Sequence, residues 1–458
     1  MTDYRKLCMD LFGTDNETEL KDIAGRLKGG RKNKLTETDV KNAIEMQKNG
    51  KTTAEIAQTF NVSRQTISKY LNKPLNGNYV MRLDFMFRQK VCTEIYVNFA
   101  DKKIKIVNRT NDIMKRAFGI NENPDWNDFE QFLEERCFPK SRAFRKTILK
   151  KIGADGYDTL QILEKTDGRT AEDNQYKVYK KGAVRFLIKE INLDNYSLID
   201  TKSASSKGNQ QKWLVNDLWY KADHMGYEGL CEVVVSELLK KSNITDFAKY
   251  FPIKIEFAGR KLNGCYSKNF RKKNESIVTL EHLSKQWFAS SMAKNLLKYD
   301  DVKNKISHTV DFIENKTGLK NVGKYITAML ELDAFFLNED RHTNNIAFIL
   351  NDDTGEYRFC PYFDFGLSLL ADTTEDYPLG EYIYNLIPKI HAKPFDVDFD
   401  VQLDAAQELY GEQVKFSFMS SDIEKSFEKV SGYYTDEVVL RVKNLIYNQK
   451  QKYGNMFE

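Results

Sequence analysis

Residues that bind metals are few and scattered in this 458-residue chain. Its six cysteines (Cys8, Cys92, Cys137, Cys231, Cys265 and Cys360) include no pair at CxxC spacing, and there are only five histidines. A structural zinc site is therefore not expected. No apolar run approaches the ~18 residues of a membrane span, so no membrane partner is expected. The opening residues Met1 to Gly13 lack the apolar core of a secretory leader. These absences predict a reduced, soluble, cytoplasmic protein. Neither sign of charge dominates, with 70 Lys and Arg against 66 Asp and Glu. What the chain does have is apolar material, 41% hydrophobic and 12% aromatic, enough to build packed cores. Its length predicts about two to four domains.

The charge is unevenly spread. Residues 1–76 hold 14 Lys and Arg against 10 Asp and Glu, so the whole excess of +4 lies there. A basic module on a neutral body points to nucleic acid. Within it, Gly29-Gly30-Arg31-Lys32-Asn33-Lys34 is a basic strip without an apolar face. Three short helices are predicted over residues 36–73: one capped by Thr36 and ended by Asn49-Gly50, one over Ala54–Phe60 capped by Thr53, and one over Arg64–Leu71 capped by Ser63. Ile56, Ala57, Val62, Ile67 and Leu71 fall where a helix-turn-helix needs its small core. Arg64, Gln65, Thr66, Ser68 and Lys69 are left on the outside of the last helix, able to reach base edges and phosphates. This pattern resembles the DNA-binding domain of Hin-type DNA invertases. The resemblance implies that Arg31 and Lys32 belong to an arm entering the minor groove of duplex DNA.

After the linker-like Pro74, Gly77 and Asn78, alternating runs around Val80–Phe87, Ile95–Phe99 and Ile104–Val107 predict a small antiparallel sheet. Residues 110–165 read as helices broken at Arg136–Arg142, with no catalytic constellation. The role expected of this part is scaffolding or substrate docking.

The chemistry lies further on. A helical run from Tyr325 to Leu337 leads into Asn338-Glu339-Asp340-Arg341-His342-Thr343-Asn344-Asn345, then an apolar strand from Ile346 to Leu350. A turn at Asn351–Gly355 and a returning strand over Tyr357–Phe363 deliver Asp364-Phe365-Gly366. Phosphoryl transfer needs a carboxylate beside the attacking hydroxyl and oxygen ligands for Mg²⁺ on the triphosphate. Asp340 suits the first role, and Asn345 and Asp364 the second. D-x-x-x-x-N joined by a hairpin to D-F-G is the spacing of protein kinases.

A glycine-rich phosphate loop is missing. Its place is taken by Asp200 to Lys212, where Ser205, Gly208, Gln210 and Lys212 match the form S-x-x-G-x-Q-x-K of the serine loop in HipA-like kinases. Strands follow over Trp213–Val215 and Leu218–Lys221, which makes Lys221 the candidate phosphate lysine. On the next helix, about Tyr227 to Lys241, either Glu228 or Glu232 can pair with it, and Glu232 is preferred because it lies deeper in the helix.

Residues of about 185–445 thus resemble the HipA-like serine/threonine kinases, toxins of bacterial toxin–antitoxin systems. The resemblance implies an α+β, two-lobed kinase-like fold, ATP with Mg²⁺, and a protein substrate such as an aminoacyl-tRNA synthetase. It further implies inhibitory autophosphorylation at Ser205, with Ser203 and Ser206 as rivals. The literal Asp-Phe-Gly and the covalently attached helix-turn-helix depart from that family's usual form. The expected order is a DNA-binding domain over 1–76, a small α+β subdomain over 77–182, a kinase N-lobe over 183–275 and a C-lobe over 276–458. Three functions fit: a protein kinase tethered to DNA, a DNA-binding regulator with an inactive or nucleotide-sensing kinase fold, and a small-molecule or lipid kinase. Inverted operators would suit a homodimer, and a DNA-bound protein would sit at the nucleoid.

Overall fold

A computed structural model of the chain describes residues 39, 42–43, 46, 51–64, 66–67, 81–170, 176–180, 210–257 and 259–458. The chain divides into two compact units, Met1–Met81 and Arg82–Glu458. Among the described residues no helix is long and apolar enough to cross a membrane.

In the first unit, α1 (Thr53–Thr59) starts one residue earlier than expected, because Thr52 is its cap. The Thr52 hydroxyl accepts from the Glu55 amide and the Glu55 carboxylate accepts from the Thr52 amide, which satisfies two orphan donors reciprocally. Ser63 caps the following helix as expected, accepting from the Thr66 amide at 3.1 Å. Ala43, Ile56, Ala57 and Ile67 are buried together, with Met46, Phe60 and Val62 packed around them. Leu71 lies outside the described residues.

The second unit opens with β1 (Met81–Phe87), β2 (Lys90–Asn98) and β3 (Lys103–Arg109). Helices α2 (Trp126–Glu135), α3 (Arg145–Ile152) and α4 (Thr159–Thr166) follow, and β4 (Tyr176–Lys180) closes an antiparallel sheet of order β3-β2-β1-β4. Leu83 and Phe85 alternate onto its covered face, where Phe85 meets Phe132 edge-on at 5.4 Å.

Next come β5 (Lys212–Val215), β6 (Leu218–Ala222), α5 (Glu228–Leu239), β7 (Tyr250–Phe257) and β8 (Arg260–Lys268). The strands pair in the order β5-β6-β8-β7, and Lys212 stands directly opposite Lys221, so both side chains share one face. On the other face Trp213, Ala222, Ile255 and Phe257 form a cluster against which Phe144 packs.

The remainder is mainly helical. β9 (Glu275–Thr279) runs into α6 (Leu280–Phe288), α7 (Met292–Leu296), α8 (Val302–Thr317) and α9 (Val322–Phe336). Then come β10 (Ala347–Asn351) and β11 (Tyr357–Phe359), in a sheet of order β11-β10-β9. The chain ends with α10 (Ile383–Leu386), α11 (Phe399–Tyr410), α12 (Ser420–Glu428) and α13 (Asp436–Lys452). α9 is buried almost all round, as expected of a central core helix. The returning strand expected over Tyr357–Phe363 stops at Phe359. Pro361 has no N–H for the ladder, and the chain changes partner there: the Tyr362 amide donates to the Asp246 carbonyl at 3.0 Å and the Ala248 amide to the Tyr362 carbonyl at 2.9 Å.

The loop after β3 and the end of α2 are seated on α6. Ile120 donates its amide to the Gln286 carbonyl at 2.8 Å, and Lys285 pairs with Glu135. Gly119 makes this approach possible: its φ is +50°, and a Cβ there would stand 2.5 Å from the Gln286 Cα. Gly119→Ala should therefore destabilise the protein by about 1–3 kcal/mol, read as a lower denaturant midpoint.

Candidate active site

The site is built where α9 runs out. Leu337 ends the helix in the left-handed conformation, and residues Asn338 to Asn345 form a tight loop. One buried guanidinium organises it. Arg341 donates from Nε to Asp333 Oδ2 at 2.8 Å and from Nη2 to Asp333 Oδ1 at 2.9 Å. Its Nη1 reaches the Asn345 carbonyl at 2.9 Å and the Phe363 carbonyl at 3.1 Å, and its Cζ lies 5.2 Å from the centre of the Phe365 ring. A single side chain thus ties the loop carrying Asp340 and Asn345 to the backbone just before Asp364. Asn338 supports the same knot, donating to Asp333 Oδ1 at 2.7 Å and accepting from the Asp340 amide at 3.3 Å.

Asn345 Nδ2 donates to the Asp340 carbonyl at 2.8 Å and to Asp340 Oδ2 at 3.2 Å. The Asp340 side chain remains partly exposed, so its carboxylate is held yet accessible. His342 Nε2 lies 3.7 Å from Asp340 Oδ1.

Asp364 sits at φ +66° and points back towards the β5–β6 sheet. Its Oδ1 accepts from Lys221 Nζ at 2.6 Å, and Lys212 Nζ lies 3.8 Å from its Oδ2. Lys221 also donates to Glu232 Oε1 at 2.5 Å and to the Tyr250 hydroxyl at 3.3 Å. The second oxygen of Glu232 accepts the Phe365 amide at 3.0 Å. Burial opposes ionisation of Lys221, but Asp364 and Glu232 outweigh it and hold the ammonium well above the usual lysine range. Burial likewise works against the Asp364 carboxylate, but Lys212, Lys221 and Arg341 hold it well below the usual carboxylate range. Burial and the like charges of Lys221 and Arg142 lower the Lys212 pKa, against the attraction of Asp364.

Of the residues singled out from sequence, the structure brings together Lys212, Lys221, Glu232 and Asp364, and places Asp340 and Asn345 on the adjoining loop. Gln210 begins the approach to β5, with its Nε2 buried and lacking a hydrogen-bond partner among the described residues. Glu228, the alternative to Glu232, is used otherwise: its carboxylate accepts the amides of His224, Met225 and Gly226 at 2.8–3.0 Å. Ser203, Ser205, Ser206 and Gly208, and Arg31, Lys32, Gln65 and Lys69, lie outside the described residues. Arg64 is exposed, whereas Thr66 is half-buried with its hydroxyl 2.8 Å from Ser63 Oγ.

Sequence reasoning missed Tyr250, Asn338 and the Asp333–Arg341 pair. Asp333, like Glu331 two residues earlier, interrupts the apolar run Ala328–Phe336, and a charge in such a place was the available signal. For a metal, Asn345 and Asp364 offer an amide and a carboxylate. That sparse set of hard oxygens suits Mg²⁺, which keeps waters and substrate phosphates as its other ligands.

Residues 30–74 match the helix-turn-helix domain of resolvase. Curated proteins hold no match to the chain. Solved structures are similar to it, two of them as follows. One is the proinflammatory kinase CtkA of Helicobacter pylori, 14% identical, with a TM-score of 0.38 over 53% of this chain and 90% of that one. The other is from the toxin–antitoxin complex of HipA, HipB and operator DNA from Shewanella oneidensis MR-1, 13% identical, with a TM-score of 0.45 over 81% of this chain and 97% of that one.

Removing one partner of a buried ion pair strands the other charge. Asp333→Asn should lower stability by about 3–5 kcal/mol, measured by denaturant unfolding, although Asp333 is not expected to touch any substrate.

Proposed function

We propose that the chain is an ATP-dependent serine/threonine protein kinase carrying a DNA-binding module. The observation that carries this reading is the position of Lys221 between Glu232 of α5 and Asp364, beside the loop that presents Asp340 and Asn345. ATP with Mg²⁺ supplies the transferable γ-phosphoryl group. Asp340 orients the acceptor hydroxyl and takes its proton, and its partial exposure leaves room for a protein side chain. Asn345 and Asp364 would hold the metal. Lys221 neutralises phosphate charge, and Glu232 fixes the lysine by bonding both it and the Phe365 amide. Lys212 and Gln210, with Ser205 and Gly208, supply the phosphate-facing loop by their match to the HipA-like signature. The resemblance also supports autophosphorylation of that loop at Ser205, or at Ser203 or Ser206. An added phosphate of about −1.5 to −2 charge there would repel the triphosphate and switch transfer off. A regulator with a dead kinase fold is disfavoured, because Lys221, Glu232, Asp340, Asn345 and Asp364 are all retained.

Purified protein with labelled ATP, Mg²⁺ and a bacterial lysate should label itself and one or a few lysate proteins, and mass spectrometry should find its own phosphate on a serine among 203–206. Asp340→Ala should keep the fold and ATP binding but lose transfer by about 10²–10⁴-fold. Wild-type rates in that variant would overturn the assignment.

For the first unit we propose duplex DNA as the partner, through the outer face of the helix that begins at Arg64 and the basic strip before it. The full-length protein should bind its own promoter DNA with an affinity that falls steeply with salt. Arg64→Ala should weaken binding and reduce the slope of log K against log salt by about one. Salt-independent binding, or no loss in the variant, would remove Arg64 from the interface.

A further inference from the structure

α5 carries Glu232, yet its own start is poorly capped. Tyr227, at the N-cap position, makes no side-chain cap bond. Asp223, from outside the cap, takes over, while Glu228 serves the turn that precedes the helix. Glu228 folds back on the amides of residues 224–226, and Asp223 Oδ1 accepts the Gly229 amide at 2.6 Å. Gly229 lets the helix press against β8: a Cβ there would stand 2.8 Å from both Asp223 Oδ1 and the Gly264 carbonyl carbon. The other oxygen of Asp223 accepts the hydroxyl of Tyr434, more than two hundred residues away in sequence, at 2.7 Å.

Tyr434 belongs to a three-residue grip. The Gly432 carbonyl accepts from Lys254 Nζ at 3.1 Å, and the Lys254 ammonium lies 5.3 Å from the centre of the Tyr433 ring. The Tyr433 carbonyl accepts from Asn263 Nδ2 at 2.5 Å, and the Asn263 carbonyl accepts the Asp223 amide at 2.8 Å. Residues 432–434 therefore hold β7, β8 and the first turn of α5 together, just before Thr435 caps α13. Gly229 and Glu232 are about one helical turn apart, so a shift at the start of the helix is passed to the Glu232 carboxylate.

We propose that Tyr434 is a positioning residue for the Lys221–Glu232 pair, acting through Asp223 at the start of α5. The inference deepens the kinase reading and rests on it for its consequence in phosphate binding. Other groups facing Asp223 are Glu228 and Cys231 on α5 and Cys265 on β8. Burial and the Glu228 charge push the Asp223 carboxyl up to about 7, and the bonds from Tyr434 and Gly229 oppose that rise. The Tyr434 hydroxyl is thus one of the two donors that favour this carboxylate. Its loss leaves a half-buried oxygen without a partner.

The test uses the full chain with Tyr434→Phe, which keeps the ring and its packing, alongside Asp223→Ala and Asp223→Asn. The amide variant can still accept from Gly229 and, by donating its NH₂, satisfy the Tyr434 oxygen. Hydrogen exchange is followed at the amides of Gly229–Cys231 and at Phe365, whose amide reports the position of Glu232. Steady-state transfer with ATP is measured in parallel. In Tyr434→Phe and Asp223→Ala, exchange should rise at those amides by about tenfold and not across the molecule, and KM for ATP should rise about five- to tenfold with a smaller change in kcat. Asp223→Asn should stay near wild type in both. Unchanged exchange at these amides in Tyr434→Phe overturns the proposal, and so does a uniform rise across the protein with KM unaltered. If the wild type transfers no phosphate, the kinase reading fails, and the exchange pattern still decides whether Tyr434 positions α5.

Discussion

A buried ammonium held by two carboxylates is the constraint on which the rest of this unit depends. Taking Lys221 out of water costs several kcal/mol unless it is fully paired, and so does each acid beside it. Glu232 and Asp364 come from a helix and a loop more than a hundred residues apart, and only the folded unit brings them to one nitrogen. The β5–β6 sheet, α5 and the segment after β11 must therefore meet in register. A shift of one residue in β6 would turn Lys221 to the opposite face of the sheet, among Trp213, Ala222 and Phe257.

The second constraint is Arg341. Its guanidinium joins α9 to the turn before Asp364, using both oxygens of Asp333 and two backbone carbonyls. Phe365 is then fixed on two sides: its amide bonds to Glu232 and its ring lies against Arg341. The knot in the Asp340–Asn345 loop and the lysine bridge thus share one residue, Phe365. Such shared members are energetically coupled, so neither half can be moved without cost to the other.

Much of this was legible in the chain, for identifiable reasons. Asp340, Asn345 and Asp364 could be read because a hairpin of readable length separates them, bounded by Asn351–Gly355. Glu232 rather than Glu228 pairs with Lys221 because Glu228, at the first position of the helix, is spent on the amides of the turn before it, while Glu232 lies one turn deeper, beside the lysine. The cap of α1 was misplaced by one residue because Thr52 and Thr53 are chemically equal at a boundary; only the reciprocal bond with Glu55 separates them. The returning strand ends short of Phe363 although Tyr357–Phe363 keeps its apolar character, because Pro361 has no N–H for the ladder. Tyr250 and Tyr434 carried no local signal at all. Each acts across the fold on a partner distant in sequence, and no periodicity encodes that.

The hydrogen bonds at Lys221 also limit how the site can work. An ammonium has three donors, and here all three are assigned: Glu232 at 2.5 Å, Asp364 at 2.6 Å and Tyr250 at 3.3 Å. A phosphate oxygen can be bound only by replacing one of them. Glu232 is the least replaceable, since its other oxygen holds the Phe365 amide and moving it would release two bonds together. Tyr250 gives the longest bond, and its hydroxyl is neutral. Asp364 can release Lys221 if another cation takes the same carboxylate, which is the place the kinase reading gives to Mg²⁺. Lys212 lies 3.8 Å from the second Asp364 oxygen. The Lys221–Glu232 bond is thus the fixed point of the site, and Asp364 is the residue that would hold such a cation.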